Sequence, residues 1–288
     1  MNSLALEFSR DVLRIIELND SAEVVLKKEI NLGFNINEVN LMKKNRKEIY
    51  YLFAEALSNV FPEEDESPLN AGILINTDQT FLSTLPVDFN EDQSNIDSHI
   101  LWELSNYYPE TYKNFNIKYY RLNNNLTGKN IDDILLIAVD KNRIELLNSL
   151  CIEAGIKIRN IEISHFAAEK CLPADYKDEA QNILLIGCRN LRMDFSLIRK
   201  GKLKNYDYRI IEDKNFQSSV LSHINFLKSS FDSVKKVYLY GDDYTRSISK
   251  FLNEDFEYMQ TALINIDGTG DISFCPLYGL ALKNSLTV

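Results

Sequence analysis

The sequence predicts an α/β protein made of two copies of one plan, strand–strand–strand–helix–strand. Three observations carry this reading. Runs of alternating or continuous apolar residues come in threes at the start of the chain and again after residue 181. Each triplet is followed by a segment whose apolar residues recur at helical spacing. A stretch of different organisation lies between the copies.

The first two strands are "LALEFSRDVLRIIEL", Leu4 to Leu18, joined by the turn Phe8-Ser9-Arg10-Asp11. A third strand is "SAEVVLKKEINLG". A helix is predicted from about Glu38 to Val60, with Met42, Ile49, Leu52, Phe53, Ala56, Leu57 and Val60 as its apolar stripe. The acidic loop "FPEEDESP" follows, then two strands, "GILINTD" and "TFLSTLPVD". The middle segment begins with the helix "NIDSHILWELSNYYPETY", which Pro109 stops. It continues with the strands "NFNIKYYRLN" and "DDILLIAVD", the latter apolar enough to be buried on both faces. The helix "KNRIELLNSLCIEAG" ends at Gly155, and "IKIRNIEIS" returns to a strand. In the second copy, "NILLIGCRN", "LRMDFSLIRKG" and "KLKNYDYRII" are three strands in a row. A helix from about Asn215 to Phe231, the strand "VKKVYLYGDD", the helix "TRSISKFLNE" and the strand "EYMQTALINI" complete it. The expected division is 1–180 for the first lobe, with an inserted α+β unit at about 87–157, and 181–288 for the second.

Composition narrows the function. The 288 residues are 45% hydrophobic and 26% charged, ordinary for a globular protein. A net charge of −10 argues against a nucleic-acid partner, which calls for a basic surface. No signal peptide and no apolar run of membrane-spanning length is visible, so a cytoplasmic location without direct membrane insertion is expected. Cys151, Cys171, Cys188 and Cys275 form no C-x-x-C pair, and His99, His165 and His223 lack metal-ligand spacing. No Gly-x-Ser-x-Gly elbow supports a hydrolase. "DGTGD" opens no helix and reads as a turn. The middle segment is rich in tyrosine (Tyr107, Tyr108, Tyr112, Tyr119 and Tyr120), consistent either with sheet packing or with a docking surface.

A duplicated β-β-β-α core with an insertion in its first half resembles the actin-like ATPase superfamily, FtsA and, more closely, the type IV pilus assembly protein family PilM. "LALEFSRDVLRIIEL", "HILWELSNYYPETY", "DILLIAVDKNRIELLNSLCIEAGIKIRNIEIS" and "PLYGLALKN" resemble PilM segments in the same order and spacing. The cytoplasmic domain of the secretion protein GspL is a related case. The resemblance implies a bilobed actin-like fold, with a final helix at about 276–285 crossing back to the first lobe. It also implies docking at the inner-membrane platform of a pilus or type II secretion machine. The partner would be the short cytoplasmic tail of a PilN-like membrane protein, with other platform components as further partners. The tail is expected in a groove between the first lobe and the inserted unit, at Trp102, Tyr107 and Tyr108.

The same resemblance locates three nucleotide-binding turns, and each is degenerate. In the first (Glu7, Phe8, Ser9, Arg10), Phe8 stands at a glycine position, where its side chain is expected to obstruct phosphate. In the second, Gly187 matches, but Leu185 replaces a Mg²⁺-associated aspartate. In the third, Gly241 is kept, while Asp242 and Asp243 replace glycines and bring repulsive charge. Arg10, Arg189 and Arg192 are the cations available to offset it. The expectation is therefore a non-catalytic adaptor, a pseudo-ATPase without cofactor or metal. The alternatives are a PilM-like protein that keeps ATP and Mg²⁺ as a conformational switch, or a small-molecule kinase, which would need intact phosphate turns.

Overall fold

The structure is a computed structural model. It describes residues 2–39, 46–61, 69–122, 130–177, 181–211, 216–230, 234–242, 244–255, 259–266 and 271–285. Asp243, Met42, Pro62–Pro68, Asn125–Thr127 and 267–270 lie outside them.

β1 (Ser3–Ser9) and β2 (Val12–Leu18) pair in full register, from Ser3 opposite Leu18 to Ser9 opposite Val12. Their two-residue turn puts Arg10 at φ 54°. β3 (Val24–Asn31) adds antiparallel to β2. The helix predicted from Glu38 starts later. Residues Ile36–Glu38 form a single 3-10 turn, capped by the Asn35 side chain, and Val39 is extended. α1 (Arg46–Ser58) then carries the chain to β4 (Leu69–Ile75), which runs parallel to β1. A parallel neighbour needs such a crossover.

β5 (Phe81–Asp88), α2 (Gln93–Tyr107), β6 (Phe115–Arg121) and β7 (Ile131–Asp140) make a separate three-stranded sheet, in the order β5-β7-β6, with one helix. The nearly all-apolar β7 is its centre. Leu85, Val87, Ile96, Ile100, Ile134 and Leu136 close its core. α2 starts at Asp92, whose carboxylate accepts from the Asn95 N–H at 2.8 Å, an N-cap that satisfies one of the helix's orphan donors. α3 (Lys141–Glu153) leads to β8 (Ile156–Ile163), which pairs parallel to β4, and α4 (Ser164–Ala168) follows.

The second copy repeats the first. β9 (Asn182–Arg189), β10 (Arg192–Arg199) and β11 (Lys202–Ile210) form a meander. α5 (Phe216–Ser230), β12 (Val234–Gly241), α6 (Tyr244–Asp255) and β13 (Gln260–Leu263) complete it. α7 (Cys275–Ser285) ends the described chain. The two five-stranded sheets have matching orders, β3-β2-β1-β4-β8 and β11-β10-β9-β12-β13, as the duplication predicts.

The chain divides into two compact units, residues 1–79, 142–171 and 265–288 in one, and 80–141 with 172–264 in the other. This departs from the expected division: residues 80–141 group with 172–264 and not with the first lobe, the boundary falls at 171 and not 180, and the insertion's own edges move. The insertion's sheet begins at Phe81, not near Val87, because β5 pairs along its whole length with β7. It ends before α3, because β8 belongs to the first sheet beside β4. In the first unit, α7 lays Leu277, Leu280 and Ala281 against Ala5, Ile16, Leu18 and Leu74 of the sheet. The opposite sheet face, with Phe8, Leu13 and Ile15, is also buried, and α1 covers it through Phe53. In the second unit, α5 and α6 cover one face through Val220, Ile224, Ile248 and Leu252.

Candidate functional site

The residues of the first turn are all in the first unit. Alternation along β1 sends neighbouring side chains to opposite faces. Glu7 is fully buried and faces β2, with the Arg14 guanidinium 3.8 Å away and Arg14 in turn bonded to Glu29 at 2.7 Å. Phe8 points the other way. Its ring packs on Phe53 of α1, centroids 5.5 Å apart. The expectation that the Phe8 ring stands in the path of a phosphate is therefore corrected: the ring is core. Ser9 and Arg10 complete the turn, whose carbonyls are tied to the chain's own loops. Ile36 N–H donates to Arg10 O and Leu32 N–H to Asp11 O, both at 2.7 Å, and Asn76 Nδ2 donates to Phe8 O at 3.2 Å.

Leu185, Gly187, Gly241 and Asp242 come together in the second unit, on and just past the paired strands β9 and β12. Leu185 is fully buried opposite Tyr238. Gly187 is opposite Tyr240, and the space that its missing side chain leaves is filled: a Cβ there would run into the Tyr240 phenol. Tyr240 is among the largest fully buried side chains of the protein. Gly241, at φ 129°, sits so close to β9 that a Cβ would collide with the Cys188 carbonyl. From there Asp242 N–H donates to Cys188 O at 2.8 Å, and Asp242 Oδ2 accepts from the Asn190 N–H at 3.1 Å.

Asn190 and Leu191 form the β9–β10 turn, at φ 49° and 60°. Two consecutive left-handed residues make a type I′ hairpin turn, whose second position favours glycine. Leucine there costs roughly 1 kcal/mol of strain, and its side chain is exposed.

The arginines beside this turn are not spare. Arg192 donates to Asp194 and to the Tyr206 hydroxyl, both at 2.9 Å, and stacks on the Tyr208 ring. Burial would lower the Arg192 pKa, but Asp194 and Tyr206 outweigh it and hold the guanidinium above its ordinary range. Burial and the Asp194 charge raise Tyr206 well above a normal phenol. Tyr206 therefore stays a neutral donor, bonded to Asp194 at 2.6 Å. Burial also pushes the Cys188 thiol up, making it a packing group and not a nucleophile.

Backbone approach at Gly187 is blocked by Tyr240, a turn N–H is taken by a carboxylate, and Leu185 supplies no oxygen for a metal. Among the described residues, no group of three His, Cys, Asp or Glu could hold a metal ion. Tyr240 and Asn190 escaped sequence reasoning, since no local pattern marks a side chain that fills space on the neighbouring strand.

The predicted partner residues are on α2 and just past it, but they do not form one face: five positions separate Trp102 from Tyr107, about 140° around the helix. Trp102 and Tyr107 are each 59% exposed and Tyr108 is 36% exposed. Trp102 stacks on His99, and Tyr107 leans on Phe81. Tyr108 differs: its ring contacts both Phe81 and Phe115, and its backbone N–H caps α2 at Leu104 O. It is a packing residue with one exposed edge. Glu91, Asp92, Asp97 and Glu110, on α2 and its flanks, are exposed, and no lysine or arginine occurs from Phe81 to Tyr112.

No protein-family model matches this sequence, and no curated protein matches it. Solved structures do match in fold. A chain of a PilM–PilN type IV pilus biogenesis complex aligns over 99% of this protein and 98% of its own length, with a TM-score of 0.68 at 12% identity. A Bacteroides thetaiotaomicron protein of unknown function with an actin-like ATPase fold aligns over 100% and 96%, with a TM-score of 0.55 at 14% identity. This chain has the actin-like ATPase fold. The cytoplasmic domain of EpsL, an inner-membrane component of the Vibrio cholerae type II secretion system, shares this actin-like architecture. It aligns over 100% and 96%, with a TM-score of 0.53 at 8% identity. Among the described residues of the actin-like chain, no helix is long and apolar enough to cross a membrane.

Proposed function

We propose that this protein is a non-catalytic, PilM-like adaptor at the inner-membrane platform of a type IV pilus or type II secretion machine. It binds the cytoplasmic tail of a PilN-like membrane protein and is held at the membrane through that partner. The observation that carries this reading is the end-to-end likeness to a chain of a PilM–PilN complex, which leaves almost no residue of either chain outside the match. Two features support it. The turns that would hold a nucleotide are filled by the protein's own side chains. α2 and its flanks expose aromatic and acidic residues and no basic ones, which suits an extended tail that carries apolar and basic residues.

The test is fluorescence polarisation with a labelled synthetic peptide. The peptide copies the N-terminal cytoplasmic tail of a single-span, PilN-like membrane protein, drawn from candidates in the same genome. Binding is expected, and Trp102→Ala and Tyr107→Ala should each weaken it about tenfold, the cost of losing an aromatic anchor. Trp102 is the chain's single tryptophan, so its emission reports docking directly. Tyr108→Ala is a poorer test, because its ring supports the local packing. Equal affinities in folded variants would move the site off α2. Absence of binding by the wild type would remove the adaptor reading.

A further inference from the structure

We infer that the β9–β10 turn carries a built-in anion, the Asp242 carboxylate, in the place where an actin-like fold would present that turn to a phosphoryl group. This deepens the non-catalytic reading above and rests on it. It extends that reading by predicting that the turn refuses phosphate-type anions altogether and does so through two named side chains.

Three observations converge. First, the Asp242 carboxylate accepts from the Asn190 N–H at 3.1 Å, across 52 residues of sequence. A backbone N–H at a tight turn is the kind of donor that grips a phosphate oxygen, and a carboxylate oxygen is a chemically matched substitute. Second, Asp242 is not placed there by chance of rotamer. Its own N–H is bonded to Cys188 O, and Gly241 lies flush against the same carbonyl, closer than any side-chain-bearing residue allows. Third, neighbouring groups are already engaged. The Tyr240 phenol covers Gly187, and Arg192 is committed to Asp194 and Tyr206. The left-handed Asn190-Leu191 pair gives the lock a structural role as well. A strained turn persists when its surroundings hold it, and the bond to Asp242 is one such hold.

The experiment is amide NMR of the full chain, with sodium pyrophosphate as the probe, with and without Mg²⁺. In the wild type the Asn190 amide should not move at millimolar pyrophosphate. In Asp242→Ala its hydrogen exchange should accelerate about tenfold, as expected for loss of a charge-assisted hydrogen bond. Asp242→Asn keeps a carbonyl acceptor and should restore most of the protection. The amides of Leu184 and Ile186, in the buried strand, serve as the folding control. Unchanged Asn190 exchange in a folded Asp242→Ala variant would overturn the inference. So would saturable movement of Asn190 in the wild type on adding pyrophosphate, and this arm decides alone if the alanine variant does not fold. Failure here is separable from failure of the adaptor reading. Tail-peptide affinity should be the same in wild type and Asp242→Ala, and its absence would leave the Asn190 result standing.

Discussion

Gly279 is where α7 crosses α4, and a Cβ there would collide with the carbonyl of Ala167. The nearest atoms belong to the α4 backbone, so Gly279→Ala has to push α7 and α4 apart. Overpacking of this kind costs about 1–3 kcal/mol, and urea denaturation should show a midpoint lowered accordingly. A second residue at this scale is Asp271, just before α7. Burial would raise its pKa, but hydrogen bonds from Ser273 N–H and Oγ, and Lys27 at 3.2 Å, outweigh it and hold the carboxyl below its ordinary 3.8. A depressed folded-state value stabilises the protein at every pH above the unfolded value. That contribution fades as pH falls below about 3.8 through the folded value. Asp271→Asn should therefore be less stable than wild type near neutrality, and the difference should shrink in acid. A gap that is constant from neutrality to low pH would mean the carboxylate charge contributes nothing.

Among the elements, α7 matters most for the first unit. Its apolar residues complete the core between Ala5, Ile16, Leu18 and Leu74, and the Ser3 hydroxyl donates to Ala281 O at 2.5 Å. Truncation after Cys275 should strip that face, and the thermal transition should fall or vanish. Leu280→Ala is the milder version, costing about 2–5 kcal/mol for a fully buried leucine. A truncated protein that melts at the wild-type temperature would remove α7 from the core. α2 behaves differently. Its buried stripe of Ile96, Ile100 and Leu104 is short, and the rest of the helix is left to solvent. Substitutions at Trp102 or Tyr107 should therefore change binding without changing stability.

For the molecule as a whole, the two five-stranded sheets share one strand order, and the Asn190 N–H of the β9–β10 turn is satisfied by Asp242. Addition of millimolar Mg-ATP should leave the melting temperature unchanged, because a ligand that does not bind the native state cannot shift its equilibrium. A shift of several degrees would restore the nucleotide-switch alternative. The net charge of −10 acts at this scale too, drawing a basic tail from a distance that salt shortens.

The sequence by itself determined the duplication, the strand triplets and the buried stripe of α2, because alternation and helical spacing are local properties of neighbouring residues. The resemblance to PilM aligned Phe8 and Leu185 with glycine and aspartate positions of that family. What it did not hold is direction and partnership. The Phe8 ring turned to α1 because β1 alternates faces and that face is core. The insertion's edge moved to Phe81 because β5 found its partner in β7, some fifty residues further along. Tyr240 over Gly187 and Asp242 on Asn190 are likewise contacts between distant segments, decided only when β12 docks beside β9. A sequence window cannot contain such contacts, because strand pairing creates both the space they fill and the donor they satisfy.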